Sequence, residues 1–273
     1  MTDKERDYVL GTHDDEIERL GIQHEVWRAR AIAAWQRAGI TTGETVLDIG
    51  SGPGYATLDL ASIVGPSGHV IAVDRSRRFL DALDSRRRDN GFDNIHVIES
   101  DLDEVRFEPN SVDAAWCRWV LAFVMRPREL LAKAAAAIRS GGVFVSHEYF
   151  DYASWRAMPP SPVFEEFVQA TIRNWRKSGG EPDIGLQVPH WLEELGFTIE
   201  SATPIVDVIT PRDFAWRWPT SFMEVGLSRL IELGAIDRNR ETEFRDALDS
   251  VANSPSRRMV TPALLEVVAR KTT

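Results

Sequence analysis

The chain has 273 residues, of which 43% are hydrophobic and 27% charged, and its formal net charge at pH 7 is −10. This composition fits one large globular domain, or a domain with a substantial appendage, and excludes collagen-like, low-complexity and disordered classes. The acidic balance argues against a nucleic-acid partner, and the longest apolar run, residues 119–125, is far short of the ~20 residues that cross a bilayer.

The single cysteine, Cys117, excludes an intramolecular disulfide and a cysteine-based zinc site. The charged opening stretch has no apolar segment behind it, so no secretory signal and a reduced, cytoplasmic setting are expected. Asp14 or Asp15 is expected to cap a helix. Its Ile17, Leu20, His24, Trp27, Ala31, Trp35 and Ala38 recur at spacings of three and four, and Gly39 ends it. Residues 46–49 read as a short buried strand, followed by Gly50-Ser51-Gly52-Pro53-Gly54 and a helix over 55–64. A strand over 69–73 and a helix over 76–90 come next. With Arg75 just before it, that helix makes a run of six arginines interleaved with aspartates, the pattern of a solvated face. Strands are expected over 95–98 and 112–116, a helix over 127–139 with Pro at its start and basic residues near its end, and, after Gly141 and Gly142, a strand over 143–147. Residues 46–148 therefore alternate strand and helix, which predicts an open parallel sheet with helices on both faces.

After Tyr149 the rhythm changes. Residues 158–162 are turn-like, helices are expected over 163–177, 188–195, 216–233 and 240–251, and strands over 197–209 and 264–269. There is no internal repeat and no clear linker. Five of the nine tryptophans lie in this part. With Phe164, Phe167, Phe214, Phe222 and Met223 they either line an apolar chamber or form a core.

The chemistry is concentrated around the glycine loop. Glycines after a strand allow a sharp turn and close approach of a ligand, and the next helix offers free N–H groups. In an open α/β sheet, ligands bind beyond the carboxyl ends of the strands. The spacing is Gly-x-Gly-x-Gly, not the Gly-x-Gly-x-x-Gly of dinucleotide folds. Asp48, just before the loop, opposes a pyrophosphate and suits a cationic ligand. Acids recur where later strands end: Asp74 can accept both hydroxyls of a ribose, and Asp101 the amino group of an adenine.

In this order of residues the chain resembles the class I methyltransferases that use S-adenosyl-L-methionine. The carriers are the Asp48 glycine loop, Asp74, Asp101-Leu102, Asp113 opening the fourth strand, and the segment from Gly141 to Val145. Within the class it is similar to bacterial ubiquinone/menaquinone-biosynthesis-like small-molecule methyltransferases, whose N-terminal Tyr-Val-Leu-Gly segment stands here at Tyr8 to Gly11. The resemblance implies an α/β, Rossmann-like, doubly wound seven-stranded sheet with its last strand antiparallel, residues 197–209 and 264–269 supplying strands six and seven. It divides the chain into an N-terminal helical cap (1–40), a cofactor-binding core (41–150) and a remainder (151–273). Helical insertions at about 151–187 and 211–256 are expected to form an acceptor lid. Gly50, Ser51, Gly52 and Gly54 would cradle the methionine moiety of the cofactor, Asp74 would hold the ribose with Arg75 beside the adenine, and Asp101 and Leu102 would frame that ring. Arg118 either meets the cofactor carboxylate or makes a surface ion pair. Tyr8 and Gln23 either close over the cofactor or simply pack.

The expected reaction is methyl transfer to a small aromatic or apolar molecule, leaving S-adenosyl-L-homocysteine. At the mouth of the site, His147 is either a general base or a structural hydrogen-bonding group, and Glu148 is a candidate for orienting the acceptor. No spacing typical of a metal site is present. No nucleic-acid or membrane partner is expected, and a homodimer is left open. The alternatives are an NAD-dependent oxidoreductase, opposed by Asp48 and the glycine spacing, and a cofactor-binding module without catalysis.

Overall fold

The structure is a computed structural model that describes residues 14–272. Among them the elements run α1 (Asp14–Ala38), β1 (Thr45–Ile49), α2 (Tyr55–Val64), β2 (His69–Asp74), α3 (Arg77–Asp89), β3 (Ile95–Glu99), β4 (Val112–Arg118), α4 (Pro127–Ala137) and β5 (Ile138–Asp151). They continue with β6 (Arg156–Met158), α5 (Pro162–Lys177), α6 (Val188–Glu194), β7 (Phe197–Ile205), β8 (Val208–Ile209), α7 (Arg217–Glu232), α8 (Glu241–Asn253), β9 (Arg258–Val260) and β10 (Ala263–Lys271).

Local chemistry sets several boundaries. Ser76 caps α3, its Oγ accepting the Phe79 N–H at 3.3 Å, and Arg86, Arg87 and Arg88 fill the last turn, where the helix dipole favours cations. Ser161 caps α5 in the same way, with Pro162 just inside. Two expectations are corrected. The helix expected to reach residue 139 stops at Ala137, and β5 begins at Ile138 and continues past Gly141 and Gly142, with an irregularity in its pairing to β4 between Ile138 and Val143. A Cβ on Gly142 would strike the Asp113 carbonyl and the Ile138 side chain, so this glycine serves close strand approach rather than a turn. Arg139 therefore leaves the helix and pairs with Asp113. The strand expected over 197–209 divides in two, because β8 leaves the main sheet and pairs antiparallel with β9.

The main sheet has seven strands in the order β3-β2-β1-β4-β5-β10-β7, a mixed sheet with its last strand in sequence, β10, antiparallel. This is the doubly wound architecture expected from the sequence. β1 pairs in parallel with β2 on one side and β4 on the other, so the strand order reverses between β1 and β4.

The chain divides into two compact units. One comprises residues 27–148, 184–203 and the chain after 264, and holds most of the main sheet. On one face of that sheet, Trp35, Ala34 and Ala38 of α1, Leu60 and Val64 of α2, and Leu80 and Leu83 of α3 pack on Val46, Val70, Ala72, Ala114, Trp116 and Val145. The other unit comprises residues 14–26, Tyr149–Asp183 and Pro204–Leu264. Here β6, β9 and β8 form a small antiparallel sheet. Its aromatic residues pack edge to face: Trp155 on Phe164 at 5.2 Å and Tyr152 on Trp175 at 5.5 Å between ring centroids. Most of the aromatics considered for a chamber are thus core. Phe214 is exposed, and Trp191 belongs to α6 in the first unit. A cavity of about 310 Å³ remains within the second unit, lined by Ile22, Trp216, Met223, Leu227 and Leu248 with Glu224, Arg245 and Asp249 among its polar residues.

Candidate active site

Register gathers the predicted residues along one rim. Asp48 aligns with Ala72 and with Trp116, Asp74 with Glu99, and Arg118 with His147. Side chains two residues apart on a strand share a face, and aligned neighbours share it too. Asp48, Asp74, Arg118 and His147 therefore all lie on the α1–α3 face, with Asp74 and Arg118 ending β2 and β4 and His147 aligned beside Arg118 within β5. The reversal of strand order between β1 and β4 falls inside this row, where open α/β sheets place ligands.

The loop between β1 and α2 is shaped by its glycines. Gly50, Gly52 and Gly54 all have positive φ, at 67°, 54° and 87°. At Gly50 a Cβ would collide with Val120, whereas at Gly52 it would meet no atom of the described residues within 4 Å. The loop is thus packed on one side and open on the other. The Gly50 and Ser51 N–H groups donate to the Val73 carbonyl at 2.8 and 3.0 Å, which ties the loop to the end of β2. Gly54 caps α2 without a side-chain hydrogen bond, leaving that helix terminus to other acceptors. Ser51 is buried, and its Oγ has no hydrogen-bond partner among the described residues.

Two carboxylates flank the loop. Asp48 is 2% exposed and accepts the Thr57 hydroxyl at 2.6 Å. Burial raises its pKa to about 6, against the pull of Thr57 and the Arg118 charge, with Asp74 adding to the rise. Asp74 accepts the Gly52 N–H at 2.9 Å and the Ser76 N–H at 2.8 Å, one on each oxygen. Burial also pushes Asp74 above the ordinary carboxylate range, against these N–H groups and the exposed Arg75. Both groups are held where a positive ligand charge would favour their ionised forms.

Asp101 and Leu102 lie just beyond β3, which brings them next to the end of β2 through the Ser100 N–H bond to the Asp74 carbonyl at 3.0 Å. Asp101 is exposed and its Oδ1 accepts the Asp103 N–H at 2.8 Å, while Leu102 is buried. Arg118 stacks over Trp116 and Trp119, its guanidinium carbon 5.7 and 5.1 Å from the ring centroids. Trp119 has φ 52°, a left-handed backbone that a bulky residue rarely adopts. Gln23 lies in the other unit, where its Oε1 accepts from Arg19 Nη1 at 2.9 Å. Tyr8 is outside the described residues.

His147 and Glu148 project to opposite faces of β5. His147 is 0% exposed, with its Nε2 2.9 Å from Glu266 Oε2 and its ring against Trp116 and Trp27. Burial lowers its pKa, against the neighbouring Glu266 carboxylate. Glu148 Oε1 accepts the Val120 and Leu121 N–H groups at 2.8 and 2.9 Å. Burial lifts the Glu148 pKa to about 7, against these bonds. Its bonded oxygen thus fastens the segment after β4.

Three residues of the site escape a reading of sequence alone. Thr57 bonds Asp48 from the first turn of α2. Arg86, read as part of a solvated face, donates to the Pro53 carbonyl at 3.0 Å and to the Tyr55 hydroxyl at 2.7 Å, clamping the glycine loop from α3. Glu266 does carry a signal: it is an acid inside the apolar strand pattern from Ala263 to Ala269, and a buried polar residue is the informative kind.

The open side of the glycine loop, the orphaned Ser51 hydroxyl and the Asp48–Asp74 pair together fit a nucleoside bearing positive charge. The profile of a family described as a methyltransferase domain matches residues 40–181, just over half of the chain, and the chain belongs to that family. By family and fold it is a class I methyltransferase, of the kind that uses S-adenosyl-L-methionine. An uncharacterized 37.1 kDa protein in transposon Tn4556 of Streptomyces fradiae is 30% identical over 170 residues, 61% of this chain and 47% of that protein. The demethylmenaquinone methyltransferase of Lactococcus lactis subsp. lactis is 27% identical over 152 residues, 56% of each. The matching region thus spans about half the length of these curated relatives. Phosphoethanolamine N-methyltransferase 2 of Haemonchus contortus, solved with phosphomonomethylethanolamine and S-adenosylhomocysteine, shares the fold with a TM-score of 0.59 at 18% identity, covering 100% of this chain and 61% of that one.

Proposed function

We propose that the protein transfers a methyl group from S-adenosyl-L-methionine to a small apolar or aromatic acceptor, releasing S-adenosyl-L-homocysteine. The observation that carries this reading is the glycine loop, open at Gly52 and bonded through that residue's N–H to Asp74. Asp74 holds the ribose hydroxyls through the lone pairs left after its two backbone bonds. Asp101 and Leu102 frame the adenine, with Arg75 beside it. The loop from Gly50 to Gly54, with the Ser51 hydroxyl, receives the amino-acid end, and Arg118 its carboxylate. Asp48 adds negative potential beneath the loop.

When bound, the cofactor supplies a methyl group on positive sulfur, open to in-line displacement. The protein's part is then to bring the acceptor atom to about 3–3.5 Å in line with that methyl. His147 serves as general base where the acceptor carries a proton at neutral pH. The insertion-built unit holds a cavity of about 310 Å³, a size suited to a small molecule, whose lining mixes Trp216, Met223 and Leu227 with Arg217, Glu224, Arg245 and Asp249. The net charge of −10 disfavours a nucleic-acid acceptor.

Thermal unfolding with S-adenosyl-L-homocysteine, run beside NADH, tests the reading. At ~100 times its dissociation constant, the nucleoside is expected to stabilise the protein by about 2.7 kcal/mol, with no shift from NADH. A shift with NADH alone would overturn the assignment.

A further inference from the structure

His147 does not stand alone. On the same face of the sheet, Glu266 of β10 takes the His147 Nε2 on Oε2, at 2.9 Å, and the Arg37 guanidinium of α1 on Oε1. The two carboxylate oxygens are therefore divided between one cation and one imidazole. Glu266 is 3% exposed and is held below its usual pKa, against the effect of burial, by His147 and Arg37. An ionised carboxylate has only lone pairs to offer, so the imidazole must donate from Nε2. The neutral ring then has its lone pair on Nδ1. That atom is buried and has no hydrogen-bond partner among the described residues. Buried polar atoms are nearly always partnered, and an exception calls for a cause.

We propose that Arg37, Glu266 and His147 form a chain across α1, β10 and β5 that locks His147 in its Nε2–H form and keeps Nδ1 vacant to take the acceptor's proton. The inference rests on the reading of His147 as base and adds Glu266 and Arg37 as positioning residues. As the acceptor's O–H or N–H bond breaks, its proton goes to Nδ1 and its electron pair to the new bond with the methyl carbon. The bond from sulfur to that carbon breaks at the same time. The positive charge leaves sulfur and ends on the imidazolium, facing the Glu266 carboxylate. The ring is fully enclosed, so an acceptor reaches Nδ1 only when the packing around it opens. The other charges acting on His147 are those of Arg118 on β4 and Arg30 on α1, both of which disfavour the imidazolium. Glu266 is the group that counters them.

The test is nitrogen NMR of the full chain labelled at histidine and saturated with S-adenosyl-L-homocysteine, with His147→Gln identifying the signal. The expected result is an Nε2–H tautomer in the parent protein. In Glu266→Gln the imidazole should titrate at lower pH, since the countering charge is gone. In Arg37→Gln it should titrate at higher pH, since the carboxylate is then less neutralised. Arg37 is 54% exposed in its side chain, so its replacement leaves the fold intact if Glu266→Gln does not. An Nδ1–H tautomer, or titration indifferent to both variants, overturns the proposal. Methyl transfer from labelled cofactor to a panel of phenols separates the two readings. If His147→Gln transfers at the parent rate, the base reading falls. If it loses transfer while Glu266→Gln keeps the parent rate, the base reading stands and the positioning chain falls.

Discussion

At the scale of single residues, two buried carboxylates decide how the protein answers to pH. Asp48, with a pKa of about 6, is part-protonated near that pH. A positive ligand favours its ionised form, so binding S-adenosyl-L-methionine at pH 6 should release protons, whereas the uncharged thioether product should release fewer. Calorimetry in buffers of different ionisation enthalpy reads the difference, and equal release would remove Asp48 from contact with the sulfonium field. Glu148 acts on stability. Its folded pKa, about 7, lies above the ordinary 4.5, so its contribution is fullest below pH 4.5 and is lost as pH rises to 7. The loss is on the order of 3 kcal/mol. Glu148→Gln should flatten that slope in urea unfolding while keeping an oxygen for the Val120 and Leu121 N–H groups. Glu148→Ala leaves both unpaired and should cost about 2–5 kcal/mol. Asp48 and Asp74 were legible in the sequence because acids at strand ends stand out against apolar runs. The partners of Glu148 and Glu266 were not, because they come from distant segments and only the sheet order brings them together.

At the scale of elements, the glycine loop is held by α3 as much as by its own strand. Arg86 grips Pro53 and Tyr55, and its guanidinium lies 4.3 Å from the Tyr55 ring centroid. Arg86→Met should weaken S-adenosyl-L-homocysteine about tenfold, the worth of roughly one charged hydrogen bond, with a smaller effect on unfolding. The glycines separate two roles. Left-handed backbone costs an ordinary residue about 1–2 kcal/mol. Gly52→Ala should cost little more than this in stability yet abolish nucleoside binding, because its Cβ enters the open side of the loop. Gly50→Ala should lose clearly more stability, because its Cβ meets Val120. Similar melting temperatures for the two would contradict that division. Elements with clear punctuation were readable nearly to the residue: α2 runs over Tyr55–Val64 as expected. β5 was not, because Gly141 and Gly142 read as a stop where Gly142 permits close approach. The two- and three-residue strands β6, β8 and β9 are too short for any period to show.

At the scale of the whole molecule, the two units differ in how far sequence reaches. The sheet-bearing unit follows a strand–helix rhythm with short connections, which constrains its topology. The other unit is discontinuous in the chain, and its aromatic residues are compatible with a core or a cavity until contacts are known. Filling the cavity is the matching experiment. Leu248→Trp should raise KM for an acceptor at least severalfold and leave S-adenosyl-L-homocysteine affinity unchanged; an unaltered KM would place acceptor recognition elsewhere.

The bend at Trp119 has one more consequence. Its N–H is fastened to the His147 carbonyl at 3.0 Å, and the next two N–H groups to the carboxylate of Glu148. Consecutive residues of one strand thus rivet both sides of a turn whose left-handed twist stores about 1–3 kcal/mol. The two parts behave as a welded joint: any shift of the β5 backbone at His147 or Glu148 also tugs the peptide next to Arg118.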